Sequence, residues 1–166
     1  MKKIAKSILL TLLMTGVATQ GGAALAAASD NAAQQIIKYG SQGTFSGAAE
    51  FFTGEVKVDM LFPASKELPA GGAYVTFAAG ARSAWHVHPL GQTLLVISGT
   101  AWTQEWGKAI QEAGAGDVIV CPAGIKHWHG ATPSSAMTHL ALTGTTVEGK
   151  NVTWLEHVSE AQYRGK

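Results

Sequence analysis

The chain has 166 residues, 46% apolar and 14% charged: enough for one core, too little for two ordinary domains, and too apolar for a disordered chain. Three of its twelve basic residues fall in the first six positions and no acid precedes Asp30, so beyond that start nine basic residues face eleven acidic ones, which excludes a general electrostatic grip on nucleic acid or an anionic membrane. The single cysteine, Cys121, excludes an internal disulfide and any Cys-based zinc cluster.

Met1 to Lys6 is a basic start, Ser7 to Ala18 is mostly apolar, and Ala24-Leu25-Ala26 has the small-x-small pattern of a cleavage site. Residues 1–26 therefore read as a secretory signal peptide, with an uncleaved anchor as the alternative. The apolar run is shorter than the ~20 residues of a spanning helix. Paired lysines in place of paired arginines point to general export, and so to a periplasmic or secreted protein that leaves the membrane once cleaved.

Residues 27–49 are expected to be a polar, Ala-rich lead-in, and residues 50–166 one barrel domain with a C-terminal extension. Period-two alternation predicts a strand over 54–60. A loop is expected over 63–69, and strands over 73–77 and 93–97, each ended by a glycine-containing turn. A hairpin is expected from 101–106 and 108–112 around Gly107, then strands over 117–121 and 137–143. Turn signals every 8–12 residues suit a sandwich or small barrel. Glycine, 20 of 166 residues, also suits a turn-rich all-β fold, since the usual share is ~7%. Ser159-Glu160-Ala161-Gln162 alone carries a helix N-cap signal, predicting a short C-terminal helix.

Five of six histidines lie between positions 86 and 139. His86 and His88 are two apart, which on a strand places them on one face; His127 and His129 repeat that spacing. His139 shares a strand face with Met137 and Ala141. Imidazoles converging inside a barrel require a metal or a hydrogen-bond network, because unpartnered burial is costly.

Gly80-x5-His86-x-His88-x3-Gln92-x6-Gly99 resembles the first cupin motif, and Gly116-x5-Pro122-x-Gly124-x2-His127 the second. The family pattern has Glu where this chain has Gln92, and Asn where it has Ala131. The stretches 81–93 and 126–131 look like the small single-domain bacterial cupins that include manganese-dependent hydroxynitrile lyases, and Met137 to Ala141 and Trp154 to Val158 fit as well. The resemblance implies a jelly-roll (double-stranded β-helix) barrel with one divalent metal, manganese first and iron or zinc next. It implies His86, His88, Gln92 and His127 as ligands, and a homo-oligomer such as a dimer or tetramer. It also implies a small-molecule substrate, a cyanohydrin cleaved to an aldehyde and cyanide.

Gln92 is neutral, so such a site keeps nearly the full +2 charge, which favours a Lewis-acid role over support of a high-valent metal. His129, two residues past His127, faces the same cavity and is expected to be the base; His139 is expected to orient a partner or protonate cyanide. The bland alternative is that His129 and His139 bond each other or water. Ala73 and Val75, on one strand face, are expected to form small pocket walls, with Ser83 as a polar contact. Thr143 stands where similar proteins carry an amide, which bears on substrate fit. Two other functions remain open: a metal-dependent oxygenase or redox enzyme, and a non-catalytic small-molecule-binding barrel. The five tryptophans are expected to be core or interface packing, and Cys121 a buried inert thiol.

Overall fold

The computed structural model describes residues 33–166, which form thirteen strands and one short helix. The expected signal peptide, 1–26, lies outside the described residues. The strands are β1 (Thr44–Ser46), β2 (Phe52–Thr53), β3 (Val56–Phe62), β4 (Ala70–Phe77), β5 (Arg82–Ser83), β6 (His86–Val87) and β7 (Gln92–Ser98). They continue with β8 (Thr100–Glu105), β9 (Gln111–Gly114), β10 (Val118–Cys121), β11 (His127–Ala131), β12 (Met137–Gly144) and β13 (Thr153–Trp154), before α1 (Glu160–Tyr163).

Six strands form one antiparallel sheet in the order β1-β3-β4-β12-β7-β10. The other seven form a second sheet running β13-β6-β11-β5-β2, with β8 joined to β11 and β9 to β8. Strands distant in sequence are thus neighbours in space, the pattern of a jelly roll. Thr44–Ser46, ahead of the expected start of the barrel, already pairs with β3.

The two sheets share a core. Val56, Phe77, Leu94, Val96 and Met137 enter it from the first sheet, and Ala101, Ala113 and Ala131 from the second. Phe77 and Leu94 are fully buried, each contributing roughly 1.5–3 kcal/mol of apolar burial. Gly99 makes the turn between β7 and β8 possible: its φ is +73°, and a Cβ there would lie 2.1 Å from the Ala136 carbonyl oxygen. That close approach gives the glycine of the first motif a physical reason.

The expected hairpin forms with a wider loop. Lys108 lies in a turn, its amide donating to the Glu105 carbonyl, and β9 starts only at Gln111, opposite Thr103. Trp85 and Trp128 alternate away from the histidines as expected. Their cover is the chain's own C-terminal segment, Val158 and Tyr163, together with Trp102 and Ile110.

Arg82 ties that segment down. Its Nε and an Nη donate to the Val158 carbonyl at 3.3 and 3.2 Å, and its guanidinium stacks 4.4 Å from the Tyr163 ring centroid. Tyr163 in turn donates to the Ala131 carbonyl at 2.8 Å, and Ser159 and Gln162 close a capping box at the helix start. Arg82→Ala is expected to destabilise the fold by about 2–4 kcal/mol, through an unpaired buried carbonyl and lost stacking. Glu160→Gln, which removes only the exposed ion-pair partner of Arg82 and Arg164, should leave the stability close to wild type. Urea midpoints of the two variants check this; equal midpoints would remove the assigned role of Arg82.

Candidate metal centre and cavity

Neighbouring strands β6 and β11 of the second sheet bring His86 and His127 together, with His88 just past the end of β6. His86 on β6 registers with His127 on β11 and with Trp154 on β13. The imidazole centroids lie 4.3 Å apart for His86 and His127, 4.9 Å for His86 and His88, and 5.5 Å for His88 and His127. After His88 the chain turns through Pro89-Leu90-Gly91 and re-enters the first sheet at Gln92. The turn is held from both sides: Gly124 donates to the His88 carbonyl and Gly144 to the Gly91 carbonyl. Gly91 has φ +79°, with the Cys121 carbonyl oxygen 2.9 Å from where a Cβ would stand.

Each of these imidazoles is tethered through Nδ1 to a backbone carbonyl. His86 bonds Ala84 at 2.9 Å, His88 bonds Asn151 at 2.5 Å, and His127 bonds Ile125 at 2.9 Å. A carbonyl only accepts, so each Nδ1 carries the proton and each Nε2 keeps its lone pair. Metal-ligating histidines are oriented in this way by a backbone or carboxylate acceptor. The Nε2 atoms of His88 and His127 and the Oε1 of Gln92 are buried and make no hydrogen bond among the described residues. Each such atom costs roughly 1–3 kcal/mol if left unsatisfied, a large sum beside a typical stability of about 5–15 kcal/mol. Three acceptor atoms of this kind match a divalent cation.

His129 is joined to the group differently. Its ring lies 5.2 Å from that of His86, and its Nδ1 meets His139 Nε2 at 3.1 Å. The offered ligand atoms of His86, His127 and His129 all lie within 4.8 Å of one another. By these atoms His129 joins His86 and His127 as a candidate ligand group, whereas by ring centroids His88 lies nearer to both than His129 does. His129 and His139 both rest on Phe77, with centroid separations of 5.7 and 5.6 Å. Ser83 is buried behind the histidines and is not among the cavity-lining residues. Its hydroxyl accepts the His129 backbone N–H at 3.2 Å and lies 3.5 Å from His86 Nδ1.

The group opens into a cavity of about 430 Å³, within the ~300–1,000 Å³ common for small-ligand sites. Ala73, Val75 and Thr143 line it as expected, with Gly71, Gly72 and Ala141 keeping that wall low. Among the described residues none that lines it is charged. Sequence reasoning missed the opposite wall. Phe51 stacks on Trp154 at 4.9 Å, and Trp154 lies 4.9 Å from the His86 ring. Phe45 and Ser46, placed in the expected lead-in, also line the cavity. Only folding brings these residues to the histidines, and no local pattern marks them.

Burial lowers the basicity of all five imidazoles. It holds His139 down at about 4, and His127 at about 4 against the raising effect of its Ile125 bond. His86 and His129 are pushed well below the ordinary range by burial and then by the neighbouring imidazoles; His88 is lowered by burial. All five are therefore neutral at pH 7, the form that binds a metal or accepts a proton.

The description "Cupin domain" fits residues 73–142. The chain is 51% identical over 130 residues to an (R)-mandelonitrile lyase of Granulicella tundricola, covering 78% of this chain and 98% of that one. A cupin-like protein of Thermotoga maritima superposes with a TM-score of 0.68 at 37% identity, covering 80% of this chain and 96% of that one. A cupin-2 domain protein of Rhodospirillum rubrum reaches 0.58 at 16% identity over 81% and 84% of the two chains, a likeness of fold alone. Shared barrel, matching motifs and half-identical sequence lead to one conclusion: the chain belongs to the cupin family.

Proposed function

We propose that this chain is an exported, metal-dependent lyase that splits an aromatic cyanohydrin into an aldehyde and hydrogen cyanide. One observation carries the reading: buried, unbonded acceptors of His88, Gln92 and the adjoining His127 sit at a cavity that His88, Gln92, His129 and His139 line. The name of the Granulicella tundricola relative supports the substrate class. The basic start, apolar run and Ala-x-Ala site support export.

His86, His88, Gln92 and His127 hold the ion, with manganese favoured by the resemblance. The bound ion supplies Lewis acidity, lowering the cost of negative charge on the substrate oxygen. His129 accepts the hydroxyl proton at Nε2 while its Nδ1 remains on His139. The carbon–carbon bond to the nitrile then breaks, its electron pair leaving with cyanide as the carbonyl forms. The proton held on His129 passes to cyanide, so one cyanohydrin yields one aldehyde and one hydrogen cyanide. The low Gly71-Gly72-Ala73 wall and the Phe51–Trp154 pair leave an aromatic ring apolar surroundings.

The test incubates residues 27–166, loaded with manganese, with mandelonitrile while benzaldehyde, cyanide and dissolved oxygen are followed. Equal amounts of benzaldehyde and cyanide with no oxygen uptake are expected. Oxygen consumption in step with product would instead make the protein an oxygenase.

A further inference from the structure

Thr143 is the feature of this site that the proposed mechanism leaves without a task. It faces the cavity from β12, directly opposite Gln92 on β7 and Gly71 on β4. Its hydroxyl accepts a hydrogen bond from Gln92 Nε2 at 3.0 Å. Gln92 Oε1 is buried and unbonded at the other end of the same amide.

An amide has one accepting end and one donating end, and only the oxygen can meet a cation. A rotation of about half a turn around the last side-chain bond presents Nε2 instead, and that torsion is soft. A carboxylate at this position has no such problem, because both ends accept. A glutamine ligand therefore needs a partner that holds its nitrogen away from the metal. Gly71, on the other side of Thr143, has no side chain to offer. Among the described residues, the Thr143 hydroxyl is the acceptor in contact with that nitrogen.

We infer that Thr143 is a positioning residue that orients the Gln92 amide, so that its oxygen faces the divalent-ion site. The inference rests on the proposed ligand set. Thr143 thereby acts on ion affinity, apart from any contact with substrate.

Manganese binding to metal-stripped residues 27–166, followed by the loss of the free-ion electron paramagnetic resonance signal, tests this without any assay of turnover. Thr143→Val is expected to weaken manganese binding about tenfold, the lower end for losing a residue that orients a ligand. Thr143→Ser keeps the hydroxyl and should bind within about threefold of wild type. In the Q92E background, adding Thr143→Val should change affinity by less than about twofold, since either carboxylate oxygen can ligate. A merely structural role for Thr143 would weaken both backgrounds equally, and that result overturns the inference. Unchanged affinity in T143V, with wild-type binding intact, also overturns it and leaves the ligand set standing. Absence of stoichiometric binding by wild type overturns both the ligand set and the role of Thr143.

Discussion

Metal-stripped protein is expected to cleave mandelonitrile at least about 10³-fold more slowly than the loaded form. Lewis-acid stabilisation of developing oxygen charge contributes several kcal/mol, and each 1.36 kcal/mol is tenfold in rate. The size of the effect follows from the cavity. Among the described residues no lysine, arginine or acid lines it, so none of them offers another positive group to stabilise negative charge on the substrate oxygen. The neutral Gln92 leaves the ion's charge undiminished, where a carboxylate would cancel part of it. Restoring manganese should restore the rate, and His127→Ala should match the loss while giving up bound ion. Elemental analysis beside the assay separates the outcomes. Full turnover by demonstrably metal-free protein would overturn the role of the ion while leaving the fold untouched.

The same purified protein addresses which ion belongs there. Affinity of a nitrogen and oxygen site rises from manganese through iron to copper, with zinc below copper. Under the proposed export the protein would meet these ions without cytosolic control, so mass action would compete with the manganese preference implied by the resemblance. Three imidazoles and an amide oxygen accept any of them.

The barrel and the histidines were legible in the sequence because both follow short-range rules. Alternation marked β3, short apolar or β-prone runs bounded by turn signals marked β4, β7, β10 and β12, and the spacing of His86 and His88, then of His127 and His129, placed each pair toward one space. The capping box at Ser159 was legible for the same reason, since its partners are three residues apart. Long-range partners left no such mark. The acceptor that orients His88 is the carbonyl of Asn151, 63 residues away, and every residue has a carbonyl. Trp154 reaches His86 only because β13 pairs with β6. Ser83 looked like a pocket residue, yet its strand turns it behind the histidines, where it accepts the His129 amide. The strands β1, β2 and β13 have two or three residues each, too few for a period to show.

His129→Ala is expected to lower kcat about 10²–10⁴-fold, the usual contribution of a positioned proton acceptor, while leaving one ion per chain bound. The hydrogen bonds single this residue out. His86, His88 and His127 each spend Nδ1 on a backbone carbonyl, which leaves Nε2 free to ligate. His129 spends Nδ1 on the His139 imidazole, at 3.1 Å, which leaves Nε2 as the ring nitrogen outside that pair. The competing arrangement makes His129 the third histidine ligand beside His86 and His127, since their ligand atoms also come within 4.8 Å of one another. The two assignments predict opposite results. If His129 is the base, His129→Ala keeps its ion and loses turnover, and His88→Ala loses its ion. If His129 is the ligand, the pattern is reversed. His139→Phe should fall between wild type and His129→Ala in kcat with its ion retained, because it removes the partner of His129 without touching the ligands. A His129→Ala protein with a full complement of metal and an unchanged rate would remove the base from the mechanism altogether.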